Sequence, residues 1–111
     1  VMDAGIICWF TKYKYYIPRP SQIDAKIKTA TGIPNFPSYT SGHASFSGAA
    51  AVLLAYIFPD QASDLMGQAD EAALSRLYGG IHYRFDNDKG KDTGMKIGQL
   101  AVAWAQTDGA N

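Results

Sequence analysis

A chain of 111 residues has room for one small domain. Hydrophobic residues make up 47% and charged ones 18%, the balance of a folded protein with a substantial core. Ten basic and ten acidic side chains cancel, so no global field draws the molecule to nucleic acid or an anionic membrane surface, although a local positive cluster is not excluded.

The apolar pattern predicts four helices and no strand of period two. The first covers about Asp3 to Tyr16. It is rich in aromatic residues (Trp9, Phe10, Tyr13, Tyr15, Tyr16), and Pro18 and Pro20 end it. Within it the single Cys8, flanked by Ile7 and Trp9, cannot form an intrachain disulfide and reads as a small core residue. A polar connection rich in Pro, Thr and Ser runs on to Thr40. The second helix, Gly42 to Phe58, is nearly uniform in small and apolar residues, which marks a buried central helix closed by Pro59. Asp60 is placed to cap a third helix reaching about Leu77, with Gly79-Gly80 as its stop.

The fourth helix is expected from about Lys89 to Ala105, with Gly90, Gly94 and Gly98 forming a stripe that another backbone can approach. Helix packing explains this stripe better than a catalytic role does, since glycine otherwise costs roughly 1 kcal/mol in a helix interior. The longest strongly apolar run, Gly48 to Phe58, falls well short of the roughly 20 residues a membrane span needs, so no span is expected. The chain opens on Val1 inside an apolar run, and the lack of a leader therefore says nothing about compartment. Four helices of this length make a thin bundle in which the aromatic first helix cannot hide every face. The expectation is an all-α helical bundle, residues 1–111 forming the C-terminal core of a larger helical domain, completed by further helices or by a second copy.

Three short segments carry chemistry. In the first, Lys12 and Arg19 supply cations near the end of the first helix. Arg offers a planar fork for two oxygens of a tetrahedral anion and Lys a mobile point charge; in isolation both read better as solvated basic residues, as Lys14, Lys26 and Lys28 do. In the second, Ser41 lies where a loop meets a helix, so its hydroxyl can cap the first turn. The free N–H groups at that end, Gly42 included, make a ready anion site, and Gly42 lets an anion reach the main chain. His43 then sits in the first turn, able to move a proton, although a capped helix start with a surface histidine would look the same. In the third, Arg76 precedes a Gly-Gly turn and His82, and Asp86 follows His82 by four residues. On a helical turn that carboxylate can hold one imidazole nitrogen and leave the other free as ligand or nucleophile. An exposed pair contributing little is the plainer alternative. A calcium-loop reading of Asp86 to Gly90 fails on spacing, and no Cys/His cluster for zinc is present.

Taken together, Lys-x6-Arg-Pro, Ser-Gly-His and Ser-Arg-x5-His-x3-Asp stand in one order between Lys12 and Asp86. This pattern resembles the signature of the superfamily shared by vanadium-dependent haloperoxidases and type-2 phosphatidic acid phosphatases. The resemblance implies that Lys12, Arg19 and Arg76 bind the oxygens of vanadate or phosphate, aided by Ser41 and the N–H of Gly42. It implies that His82 binds vanadium in a peroxidase or attacks phosphorus in a phosphatase, with His43 as the acid–base group and Asp86 orienting His82. Lys12 would also polarise bound peroxide.

Finer details lean to the haloperoxidase side. Trp9 and Phe36 resemble aromatic positions lining the halide-side wall of chloroperoxidase-like enzymes, though core packing would also account for them. The stretches FPSYTSGHA and GIHYRFD resemble the bacterial haloperoxidase branch, apart from Thr40, where that branch commonly has Pro; a looser start to the loop is expected there. The resulting expectation is a vanadate-dependent haloperoxidase using hydrogen peroxide and halide. The alternatives are an acid phosphatase forming a phosphohistidine on phosphomonoesters, and a non-catalytic helical interaction module. The resemblance alone leans to a periplasmic or secreted setting, which the sequence does not fix.

Overall fold

The computed structural model describes residues 1–110 and is helical throughout its regular elements: α1 (Met2–Tyr15), α2 (Pro20–Ile23), α3 (Gly42–Ile57), α4 (Ala62–Tyr78) and α5 (Arg84–Ala105), with a short 3₁₀ turn at Pro59–Gln61. The all-α expectation holds. Three local expectations do not. Asp60 is spent inside the 3₁₀ turn, so α4 starts at Ala62 with Gln61 as an N-cap that makes no side-chain cap bond. The last helix begins at Arg84, five residues before the expected Lys89, because the Asp86 carboxylate accepts the Tyr83 N–H (3.2 Å) and closes the first turn. Pro20, read as a terminator, opens the four-residue α2 instead, where its fixed φ suits the first helical position and Gln22 Oε1 accepts the Arg19 N–H at 2.7 Å.

Helix α3 lies at the centre, with α1, α4 and α5 packed on it. Its contact with α5 follows the glycine stripe: a Cβ on Gly90 would come 2.8 Å from Ser41 O, on Gly94 2.1 Å from Ser45 O, and on Gly98 2.9 Å from Ala49 O. No larger residue fits there, so the stripe does bring two backbones together. One consequence is that the N-termini of α3 and α5 meet, tied by Ser41 N–H to Asp86 O at 3.0 Å. After α4 the chain reverses at Gly80 (φ 73), a left-handed turn that glycine makes without strain and that lays Ile81 and His82 against Arg19.

The molecule measures 53 × 29 × 18 Å. Its thin dimension is less than two helix diameters of about 10–12 Å each, so helices keep a face with nothing over it. On α1, Met2, Ile6, Phe10 and Tyr13 are exposed, and on α5 Leu100 and Trp104 are each 72% exposed. Helix α3 is central but not buried along its whole length: its first half is (Ala44, Ser45, Gly48, Ala49, Ala51), while Leu54, Tyr56 and Ile57 face outward. Cys8 is in the core as expected, Lys14, Lys26 and Lys28 are solvated, and no helix among the described residues is long and apolar enough to cross a membrane.

Candidate oxyanion site

The first turns of α3, the last turn of α4, the loop that leads into α5, Trp9 of α1 and the chain between α1 and α3 surround a cavity of about 470 Å³. Arg19, Gly42, His43, Arg76 and His82 line its polar part, and Trp9, Phe36 and Phe46 its apolar part. Five of the eight residues singled out from sequence thus share one cavity wall, drawn from segments more than sixty residues apart. Trp9 stacks obliquely on Phe36 (centroids 5.3 Å apart) and on Phe46 (6.3 Å), so the two aromatic residues expected beside the site are there, joined by a third.

His82 is almost wholly buried, and its two ring nitrogens have different partners. Nδ1 lies 2.8 Å from Asp86 Oδ2, and Nε2 lies 3.0 Å from Arg19 Nη1. A guanidinium has only protons to give, so Nε2 accepts; the network therefore assigns the ring proton to Nδ1, which donates to Asp86. Burial is the main reason the His82 pKa lies below the ordinary 6.5, with the Asp86 hydrogen bond opposing it. The ring is a neutral base with its lone pair on Nε2.

Arg19 is held by Phe36 O (Nε, 3.1 Å) and Ile81 O (Nη1, 2.9 Å), while its Nη2 is buried with no hydrogen-bond partner. Arg76 spends only Nε, on Ser75 Oγ at 2.9 Å, which leaves its two terminal nitrogens uncommitted among the described residues. Gly42 opens α3; a Cβ there would sit 3.7 Å from Trp9, an ordinary contact, so packing does not demand glycine. The missing side chain instead keeps the helix start bare at the cavity. His43, exposed, has its pKa lowered by partial burial and then by the Arg76 charge.

The cavity wall combines donors without acceptors (Arg19 Nη2, the Arg76 fork, the helix start at Gly42) with one basic lone pair on His82. It carries no carboxylate, and the described residues contain no group of three or more His, Cys, Asp or Glu able to hold a bare metal ion. Such a donor set fits a tetrahedral oxyanion such as vanadate or phosphate. The orphaned Arg19 Nη2 is the sharpest sign, because a buried guanidinium nitrogen without a partner is costly unless a ligand supplies one.

Residues 1–109 match the PAP2 superfamily. The chain belongs to it. Among solved structures it resembles a bacterial vanadium-dependent iodoperoxidase, with a TM-score of 0.81 and 37% identity over 91% of this chain. The match spans 30% of that longer protein. No curated protein matches the sequence.

Within this PAP2 superfamily chain two expected ligands stand back from the cavity. Ser41 is fully buried; its hydroxyl accepts the Ala44 N–H at 3.4 Å, the cap predicted for it, and does not line the cavity. Lys12 is also fully buried, and its ammonium donates to Pro37 O (2.9 Å), Ser38 O (3.1 Å) and Thr40 O (2.7 Å), beneath the rings of Trp9 and Phe36. It acts as a strut for the 37–40 loop. Burial holds its pKa at about 8.

Thr40 does not loosen that loop. The N–H that Pro would lack donates to Thr11 Oγ1 at 3.3 Å, and the two threonine hydroxyls lie 3.0 Å apart. Ser38 escaped the sequence reading altogether: it is fully buried and its hydroxyl donates to Asp86 Oδ2 at 2.5 Å. Its place three residues before Ser41, in the same loop, was the only available signal.

Proposed function

We propose that residues 1–111 form the catalytic core of a vanadium-dependent haloperoxidase. The observation that carries this reading is the His82 Nε2 lone pair, fixed by the Nδ1–Asp86 bond and set beside the unpartnered Arg19 Nη2, on a cavity whose wall includes the rings of Trp9, Phe36 and Phe46. His82 Nε2 would bind vanadium, while Arg19, Arg76 and the N–H of Gly42 would hold the oxygens. Bound vanadate would supply the Lewis acid that activates hydrogen peroxide toward a halide.

The protein's own part is electrostatic and protonic. Two guanidinium groups and a helix N-terminus offset the oxyanion charge in a site partly closed to water, each charge-assisted hydrogen bond contributing about 1.5–3 kcal/mol. His43, neutral near pH 7 because its pKa lies below 6.5, takes a proton from an incoming peroxide and returns it to a departing oxygen. The aromatic wall gives a polarisable halide an apolar approach. Lys12 holds the loop beneath this wall, and its charge is close enough to the site to act on it through space. In the same reading residues 1–111 are one part of a larger helical unit, completed by further helices or a second copy, a view supported by the apolar side chains exposed on α1 and α5.

A neutral, oriented Nε2 equally suits attack on a phosphomonoester. The N–P bond would form as the O–P bond breaks, His43 would protonate the leaving alcohol, and water would later release phosphate. One assay separates the readings. With vanadate, hydrogen peroxide and iodide, the halide of the similar iodoperoxidase, halide oxidation that needs vanadate and vanishes in His82→Ala supports the proposal. Phosphate release from a generic phosphomonoester, blocked by vanadate, supports the phosphatase instead. Neither activity in a folded protein leaves a non-catalytic helical module.

A further inference from the structure

Asp86 is loaded on one side only. Its Oδ2 receives His82 Nδ1–H at 2.8 Å, Ser38 Oγ–H at 2.5 Å and the Tyr83 N–H at 3.2 Å, whereas Oδ1 is buried with no partner. A carboxylate with a bare oxygen is free to turn unless something holds it. Tyr83 sets its height along the helix, and Ser38 reaches it from the opposite side of the site, 48 residues away in sequence.

Ser38 has no freedom of its own. It is fully buried, its N–H donates to Ile17 O at 2.8 Å, and its carbonyl accepts Lys12 Nζ at 3.1 Å. Its hydroxyl also lies 3.4 Å from His82 Nδ1. Because Nδ1 carries the ring proton, the hydroxyl proton has one acceptor left, the carboxylate.

We infer that Ser38 is a positioning residue for His82: its hydroxyl locks Asp86 so that the imidazole keeps one orientation and one tautomer, with the Nε2 lone pair on the cavity. Lys12 acts one step further back by pinning the Ser38 carbonyl. Two further donors on Oδ2 hold that oxygen in place as the acceptor of the His82 Nδ1–H. Without Ser38 the carboxylate can rotate to offer Oδ1, and the ring keeps only the Arg19 Nη1 bond at Nε2 to set its direction. This rests on the proposed role of His82 only in taking Nε2 as the atom that meets the anion.

The test uses the whole chain and two variants, Ser38→Ala and Ser38→Cys. The cysteine variant keeps a side chain that fills the site while weakening the donor. In the anion-free protein, ¹⁵N spectra of the His82 ring should report a protonated Nδ1 and a bare Nε2. Ser38→Ala should give a mixture of tautomers and Ser38→Cys an intermediate state. Affinity for inorganic vanadate should fall about tenfold in the alanine variant, the low end of the loss typical when a ligand's hydrogen-bond partner is removed. A single unchanged tautomer with unchanged vanadate affinity in Ser38→Ala overturns the inference. If Ser38→Ala does not fold, the same result in Ser38→Cys overturns it equally. Should the wild-type protein bind no vanadate, the proposed function fails while the tautomer measurement still decides the role of Ser38.

Discussion

Gly94→Ala tests the contact that brings the two helix N-termini to the site. The new Cβ would stand 2.1 Å from Ser45 O, 2.9 Å from Ser45 C and 3.0 Å from Ser45 Cα. All three are backbone atoms of α3, so no side chain can swing aside. Real Cβ contacts essentially stop at 3.0 Å, and 3.0 minus 2.1 leaves 0.9 Å by which the helices must part. Gly90 and Gly98, where an added Cβ would stand 2.8 and 2.9 Å from the Ser41 and Ala49 carbonyl oxygens, would lift with it. Overpacking of this kind costs about 1–3 kcal/mol. Alanine returns up to about 1 kcal/mol through its better helix propensity. The net expectation is a loss of about 1–2 kcal/mol, or a drop in Tm of about 4–16 °C at roughly 4–8 °C per kcal/mol for a domain near this size. Gly67→Ala is the matched control: it lies in α4 with nothing within 4 Å of a new Cβ, so it should gain about 0.5–1 kcal/mol. Urea denaturation of both variants measures the difference. A Gly94→Ala protein as stable as Gly67→Ala would refute the close contact and with it the reason why Ser41 and Asp86 meet.

Lys12→Met should destabilise the fold, because three buried carbonyls lose their donor at a cost of about 1–3 kcal/mol for each acceptor left unsatisfied; an unchanged urea midpoint would show that Lys12 is no strut. With a pKa of about 8 when folded and 10.5 ordinarily, Lys12 sheds its proton in the folded chain across a window where the unfolded chain still holds it. On its account stability rises with pH between about 8 and 10.5, by roughly 3 kcal/mol in all, and the methionine variant should lack that slope. Equal slopes would contradict the buried ammonium. For Arg76→Ala, loss of charge-assisted hydrogen bonds worth about 1.5–3 kcal/mol should weaken vanadate binding at least tenfold. The same variant should raise the His43 pKa, which burial first and the Arg76 charge second hold below 6.5 in the wild type; an NMR titration midpoint that does not rise in the variant would remove Arg76 from His43's surroundings.

What could be read from sequence was whatever a local pattern encodes. The spans of α1, α3 and α4 came within a few residues, and the glycine stripe announced a close helix contact that the packing of Gly94 on Ser45 bears out. The convergence of Arg19, Gly42, His43, Arg76 and His82 was legible only as an ordered set of motifs, since no single segment favours a site over a surface. What escaped depends on partners distant in the chain. Lys12 looks like a free cation until the carbonyls of residues 37, 38 and 40 fold onto it. Ser38 looks like a loop serine until α5 brings Asp86 to it. Thr40 looked like a weakness because the compensating Thr11 sits on another element. The early start of α5 was hidden because Asp86 was counted for its partner His82 and not for the Tyr83 N–H it also accepts.

The proposed function requires one oxyanion to be held at once by an imidazole, two guanidinium groups and a helix start. A titration of ¹⁵N-labelled protein with inorganic vanadate, followed at the Gly42 amide, the Arg19 and Arg76 side chains and the His82 ring, measures this directly. All four signals should move together and saturate at one equivalent with a single Kd. Signals that stay still, or a Gly42 amide and a His82 ring that titrate with different constants, would mean that these residues do not share an anion.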